Sequence, residues 1–223
     1  MFDEAIGLDP DADMLAEGAR RAKAAGVDNV RWVRALAEDI PSLGLGSGFR
    51  LVTFGSSYHW TDREQVGNAV YELLEPGGVL ACVVHTVEGR PKPDAPPEPE
   101  LPTIPYREIK AMIERYVGPQ RYHPPPDRFE DALRRTRFGE SETVFIPGRP
   151  DIVRDIDSVV AGYYSMSWAT PPLFGDRRDE FEAEVRALLG SRSERGLFWD
   201  WPGDTEIVIA RKPDGRSGRG PVE

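Results

Sequence analysis

From Met1 to Val84 the sequence alternates short apolar runs with segments of helical period. Ala5–Leu8 is the first run, and the acidic Asp9 closes it. Pro10 suits a first helical turn, because its fixed φ is already helical and its missing N–H is not needed there. Met14, Leu15, Ala19, Ala22 and Ala25 then recur at helical spacing, and Gly26 stops the run as a C-terminal cap. Val30–Val33 predicts a second strand and Leu51–Phe54 a third, broken at Gly55. Thr61 and Glu64 have capping-box spacing and open a helix through Val66, Val70, Leu73 and Leu74. Pro76-Gly77-Gly78 turns the chain into a fourth strand, Val79–Val84. Strands that alternate with helices pair in parallel, since each helix returns the chain to the same end of the sheet. The expected fold class is α/β.

After Val84 the composition shifts. Seven prolines fall between Gly89 and Pro105, a stretch that favours extended geometry and cannot build core, so it reads as a linker or lid. One helix is expected over Ile109, Met112, Ile113 and Tyr116, ending at Gly118-Pro119. A second starts at Asp127 with Glu130 as its capping partner and buries Phe129 and Leu133. Thr143–Ile146 reads as a strand, Asp151–Tyr164 and Asp176–Leu189 as amphipathic helices, the latter stopped by Gly190, and Thr205–Ala210 as a closing strand. Pro213–Glu223 is a Gly- and Arg-rich tail.

Charge and cysteine content narrow the function classes. A net charge of −10 argues against nucleic acid as a partner, because phosphate binding needs a basic face. No apolar run approaches the roughly 20 residues that span a bilayer, and no leader pattern precedes a cleavage site, so no membrane association is expected. The single Cys82 excludes an internal disulfide framework and a cysteine-rich zinc site, which fits a cytoplasmic protein. His59, His85 and His123 lack metal-ligand spacing, and no metal is expected.

Four segments form an ordered set: Gly7-Leu8-Asp9-Pro10, Ala37-Glu38-Asp39-Ile40-Pro41, Phe49-Arg50-Leu51-Val52 through His59-Trp60, and Leu74-Glu75-Pro76-Gly77-Gly78. In this order and spacing the chain resembles class I S-adenosylmethionine-dependent methyltransferases, in particular the small-molecule branch that includes quinone-biosynthesis C-methyltransferases. The resemblance covers Ala5–Val84 closely and Thr143–Ala210 more loosely. It implies a Rossmann-like sheet with a helical cap insertion, the cofactor S-adenosylmethionine and a small-molecule acceptor. Residues 1–88 would then be part of the cofactor-binding half, 89–137 the proline-rich linker and cap, 138–212 the remainder of the same domain, and 213–223 a flexible tail. Self-association as a homo-oligomer stays open.

By the same resemblance, Asp9 matches the acidic residue that holds the cofactor's ribose hydroxyls, with Pro10 beside it. A carboxylate can accept two hydrogen bonds from a vicinal diol, and charge-assisted bonds are the stronger kind. The alternative is that Asp9 only caps the following helix. Leu36 would pack on the adenine face while backbone groups of Ala37 and Glu38 read its polar edge; the alternative there is a capped turn before Pro41. Gly55 and Ser56 follow the strand that borders the methyl group, where glycine admits close backbone approach. His59 is the candidate general base or substrate-orienting group, since its proton affinity suits neutral pH. Its alternative, and that of Trp60, is packing at the start of the next helix. Tyr163 to Trp168 would lie near the acceptor on the cap side, or pack a helix end.

The family's glycine-rich loop, which lies between the first strand and first helix, has no counterpart upstream of Ala5. Gly44, Gly46 and Gly48 alternate, but they follow Pro41 in a loop and open no helix. The chain therefore reads as one that begins at the family's second strand, N-terminally truncated. Three outcomes are open for the missing central ribbon: a start further upstream, direct pairing of the strand ending at Leu8 with the one ending at Phe54, or a strand supplied by a partner. The expected activity is methyl transfer to a small acceptor. The rival readings are a non-catalytic binding or interaction protein derived from the same fold and a nicotinamide-dependent dehydrogenase.

Overall fold

The computed structural model describes residues 2–86, 101–119, 127–149, 151–200 and 203–215. Most of the proline-rich run, His123 and the end of the tail lie outside the described residues. In chain order the elements are β1 (Ala5–Asp9), α1 (Ala12–Ala24), β2 (Val30–Arg34), β3 (Phe49–Gly55), α2 (Arg63–Leu73), β4 (Leu74–Thr86), α3 (Tyr106–Val117) and α4 (Phe129–Arg134). They continue with β5 (Glu142–Ile146), β6 (Val153–Asp155), α5 (Ile156–Tyr164), α6 (Pro171–Phe174), α7 (Arg178–Arg192), β7 (Leu197–Trp199) and β8 (Asp204–Arg211). Short 3-10 turns span Ala37–Ser42 and Tyr58–Trp60. Two units divide the chain: Met1–Val84 with Pro125–Val144 and Ile207–Glu223, and His85–Pro124 with Phe145–Glu206.

In the first unit β1 and β2 pair in parallel, from Ala5 opposite Val30 to Asp9 opposite Arg34. The helix between them explains the direction, as the alternating pattern requires. The indole of Trp32 is seated on two glycines. A Cβ at Gly7 would lie 2.5 Å from Trp32 Cε3, and one at Gly18 would lie 2.8 Å from Trp32 Cη2. Those two positions let strand and helix close around the ring. The second sheet has four strands in the order β3-β4-β8-β5, with β3 and β4 parallel. Leu51 opposes Val79 and Gly55 opposes Val83. The Pro76-Gly77-Gly78 turn is contained within β4, as an irregularity in its register between Phe49 and Leu51. Among the described residues, β1 and β3 share no sheet, so direct pairing across the gap does not occur.

The core of this unit lies on the four-stranded sheet. Val66 and Val70 of α2, Leu80 and Cys82 of β4, Leu133 of α4 and Val208 and Ala210 of β8 are buried together around Tyr58. Each of the valines and leucines among them contributes about 1.5–3 kcal/mol by leaving water. By contrast, no residue of β1, α1 or β2 is fully buried.

In the second unit, Ile109 and Ile113 of α3, Val159 and Val160 of α5, and Phe181, Val185 and Leu189 of α7 form one apolar cluster. Phe174 stacks on Phe181 with ring centroids 4.2 Å apart. β6 and β7 pair in antiparallel fashion.

Several local expectations are corrected. Asp11, not Pro10, starts α1: its carboxylate accepts from the amides of Asp13 and Met14. Asp62 rather than Thr61 caps α2, accepting from the Gln65 amide, because the Thr61 hydroxyl is turned to the Tyr58 carbonyl. Asp127 does not open α4; it is held by Arg63 and Arg135 instead. The helix expected from Asp151 starts only at Ile156, since Val153–Asp155 is drawn into pairing with β7. α7 passes through Gly190 to Arg192. Burial of Phe181, Val185 and Leu189 on its apolar side outweighs the roughly 1 kcal/mol that an interior glycine costs.

Candidate functional site

The predicted site residues gather at the carboxyl ends of the first unit's strands, where open α/β sheets bind ligands. Asp9 ends β1, opposite Arg34 at the end of β2. One oxygen of Asp9, Oδ1, accepts a hydrogen bond from the Asp11 amide at 2.8 Å. Among the described residues Oδ2 has no hydrogen-bond partner, and the side chain is half-buried. Asp9 thus tightens the turn into α1 and still presents an acceptor. Beside it lies a surface cleft of about 450 Å³, lined by Pro10, Asp11, Ala12, Asp13 and Arg34. Arg34 donates through Nε to the Pro10 carbonyl at 3.1 Å, which holds the rim of the cleft.

The chain then enters the 3-10 turn Ala37–Ser42. Asp39 folds back to accept from the Leu36 amide at 3.1 Å. The amides of Ala37 and Glu38 belong to the first turn, where no intrahelical acceptor exists. Leu36 is 52% exposed, an apolar surface beside two backbone donors that have no acceptor among the described residues. That combination fits the face and edge of a heteroaromatic ring. The Glu38 carboxylate is committed elsewhere: it accepts from the Asp62 amide at 2.8 Å. This bond ties the Leu36–Glu38 turn to the start of α2, next to the segment Gly55–Trp60.

Gly55 is the last rung of β3, opposite Val83, and Ser56 follows it. Among the described residues, a Cβ at Gly55 would meet no atom within 4 Å. Ser56 has φ +50 and is the one non-glycine residue with positive φ among the described residues. Its amide is nonetheless bonded to the Val83 carbonyl at 2.8 Å. A left-handed conformation costs an L-residue about 1–2 kcal/mol, and backbone strain of this kind concentrates at functional turns. Replacing Ser56 by glycine is expected to raise stability by about 0.5–1 kcal/mol in urea unfolding, net of glycine's greater chain entropy. A loss of stability instead would mean that the hydroxyl, not the turn, is what the position requires.

His59 sits on the Tyr58–Trp60 turn, its ring 5.0 Å from that of Trp60. Burial first, and the Arg63 charge second, lower its proton affinity. Both effects favour the neutral imidazole, the form able to accept a proton. Tyr58 beneath it is fully buried and donates to the Arg63 carbonyl at 2.6 Å, which fixes the turn.

Asp9, Pro10, Leu36, Ala37 and Glu38 are thus linked through β1–β2 pairing, and Glu38 through Asp62 to the His59 turn. Two residues escaped the sequence reading, Arg34 and Asp62. The parallel register of β1 with β2 places Arg34 opposite Asp9, a signal that the two apolar runs already carried. Nothing in the sequence marked the Asp62 amide as the Glu38 donor. No group of three His, Cys, Asp or Glu among the described residues is placed to hold a metal, and none of their helices is long and apolar enough to cross a membrane.

Residues 2–78 match the family described as a methyltransferase domain. That family uses S-adenosylmethionine. No curated protein matches the chain. Among solved structures, the YcgJ protein of Bacillus subtilis is similar at 17% identity and a TM-score of 0.48, over 95% of this chain and 83% of that one. The [4+2]-cyclase SpnF is similar at 16% identity and a TM-score of 0.46, over 94% and 66% of the two chains. The phosphoethanolamine N-methyltransferase 2 of Haemonchus contortus, in complex with phosphomonomethylethanolamine and S-adenosylhomocysteine, is similar at 14% identity and a TM-score of 0.47. The match covers 93% of this chain and 43% of that one.

Proposed function

We propose that the chain is an S-adenosylmethionine-dependent methyltransferase acting on a small-molecule acceptor. The observation that carries this reading is the Asp9 carboxylate at the end of β1, with one oxygen that has no partner among the described residues beside an open cleft, inside the segment 2–78 that matches a methyltransferase domain. When bound, the cofactor supplies a methyl group already activated on a sulfonium. Asp9 would accept from the ribose hydroxyls, with Pro10 and Arg34 shaping the rim. Leu36 would cover the adenine face, and the Ala37 and Glu38 amides would donate to its edge. Gly55 and Ser56 would give the backbone room at the end of β3. His59, whose surroundings favour the neutral imidazole, would take a proton from the acceptor where the acceptor has one to lose. The remaining contribution is alignment, since holding reactants in line is itself a large catalytic effect.

Calorimetric titration of the full chain with S-adenosylmethionine and S-adenosylhomocysteine tests the proposal. Saturable heat with either ligand is expected. A folded far-ultraviolet spectrum with no heat at millimolar ligand would eliminate the enzyme and leave the binding-protein reading. The quinone-biosynthesis branch is the acceptor class that the ordered motifs favour, so quinol-type acceptors are the first to assay with labelled cofactor.

A further inference from the structure

The four-stranded sheet ends on β5, and this edge carries apolar side chains that methyl transfer leaves without a role. Val144, Phe145 and Ile146 are consecutive and 41%, 36% and 50% exposed. Successive residues of a strand point to opposite faces, so β5 presents apolar surface on both. At the other end of the sheet, β3 exposes one large apolar side chain, Leu51. An edge strand also leaves backbone N–H and C=O groups unpaired, and folded proteins commonly guard such edges with proline, lysine, an inward charge or a bulge. Glu142–Ile146 contains no proline or lysine. Its one charge, Glu142, is ion-paired to Arg211 of β8 at 3.1 Å, and the Thr143 hydroxyl donates to Glu130 of α4 at 2.6 Å.

The edge is complementary to itself in one direction only. Glu140, exposed and without an ion-pair partner among the described residues, lies just before β5. Arg149, also exposed, lies just after it and pairs with Asp151 at 2.9 Å. Exposed pairs of that kind contribute little and exchange readily. Laid antiparallel on a second β5, with a two-fold axis between Val144 and Phe145, each Glu140 stands opposite the Arg149 of the other copy. The same register sets Val144 opposite Phe145 and Thr143 opposite Ile146, each twice. Pairs of β-branched with aromatic side chains across strands are a stabilising kind. Parallel pairing in register would instead set Glu140 against Glu140 and Arg149 against Arg149. Pairing about a two-fold axis closes on itself, whereas β5 on the β3 of a next copy would repeat without end.

We propose that β5 is a self-association edge, which joins two copies of this chain by antiparallel β5–β5 pairing into one continuous sheet. The assignment is independent of methyl transfer and needs no cofactor. Five paired residues from each copy bury less than the roughly 1,600 Å² of a standard interface, so the dimer belongs to the weak, transient class. Sedimentation equilibrium of the full chain from about 10 µM to about 1 mM covers the range in which such dimers dissociate. A reversible monomer–dimer equilibrium is expected. Val144→Lys puts a charge at the centre of the edge and should weaken dimerisation about tenfold or more, with the thermal midpoint of the dilute chain unchanged. Glu140→Arg should weaken it about three- to tenfold by setting like charges opposite each other, and adding Arg149→Glu should restore it. This charge exchange decides alone if the Val144 variant proves less stable. The proposal is overturned if the parent stays monomeric at the highest concentration or forms species larger than dimers. It is equally overturned if Val144→Lys dimerises undiminished in a stable chain, or if the second charge reversal does not recover what the first one loses.

Discussion

Tyr58→Ala is expected to cost about 3–5 kcal/mol of unfolding free energy, the range for removing a fully buried aromatic ring. The ring is in contact with Phe54 at 5.1 Å and edge-on with Phe129 at 5.3 Å, so its loss opens a void bordered by β3 and α4. Collapse into that void is restricted. Gly67 of α2 already approaches so closely that a Cβ there would lie 3.0 Å from the Tyr58 hydroxyl and 2.8 Å from Thr136 Cγ2. Tyr58→Phe separates the two contributions: it keeps the ring and removes the bond to the Arg63 carbonyl, for about 1 kcal/mol. Urea unfolding of both variants, followed by circular dichroism, provides the measurement. A loss below 1 kcal/mol for the alanine variant would mean that the Tyr58–Trp60 turn is held by other contacts, and that His59 is not positioned through Tyr58.

Asp9→Ala is expected to weaken S-adenosylhomocysteine binding by about 1–3 kcal/mol, or about five- to 150-fold, through loss of charged hydrogen bonds to the ribose. The same change removes the acceptor of the Asp11 amide, which could loosen the entry to α1. Asp9→Asn serves as the control, since its carbonyl can still accept from that amide while the charge is gone. If the carboxylate grips the diol, both variants lose affinity by calorimetry and only alanine loses helix stability. Undiminished binding in both would remove Asp9 from the site and leave it as a turn residue.

The strand-and-helix alternation was readable because each element announces itself within a few residues. Apolar pairs separated by one helical segment located β1, α1, β2, β3 and α2 to within two or three positions. The caps were less legible. Asp9, Asp11, Thr61 and Asp62 are all cap-forming residue types, and which one reaches the orphan amide depends on where its neighbour's side chain goes. The hydroxyl of Thr61, for example, is drawn to the Tyr58 carbonyl. Val153–Asp155 carries a helical pattern of apolar residues but forms a strand, because Leu197–Trp199 offers it a ladder and helical period is only a preference. The candidate site followed the same division. Its positions at strand ends were visible as residues following apolar runs, whereas the commitment of Glu38 to Asp62 and the positive φ of Ser56 were not.

The amino-acid sequence alone determined the α/β class, the parallel sense of the early strands and the acidic residue at the end of the first, since these follow from period, spacing and residue type. Only the tertiary structure decided that β1 and β2 belong to a different sheet from the one built on β3, that Tyr58 anchors the turn carrying His59, and that Asp200 is held by Tyr106 and Arg154. Those outcomes depend on which edges and side chains meet across long stretches of chain, and no local pattern encodes such meetings.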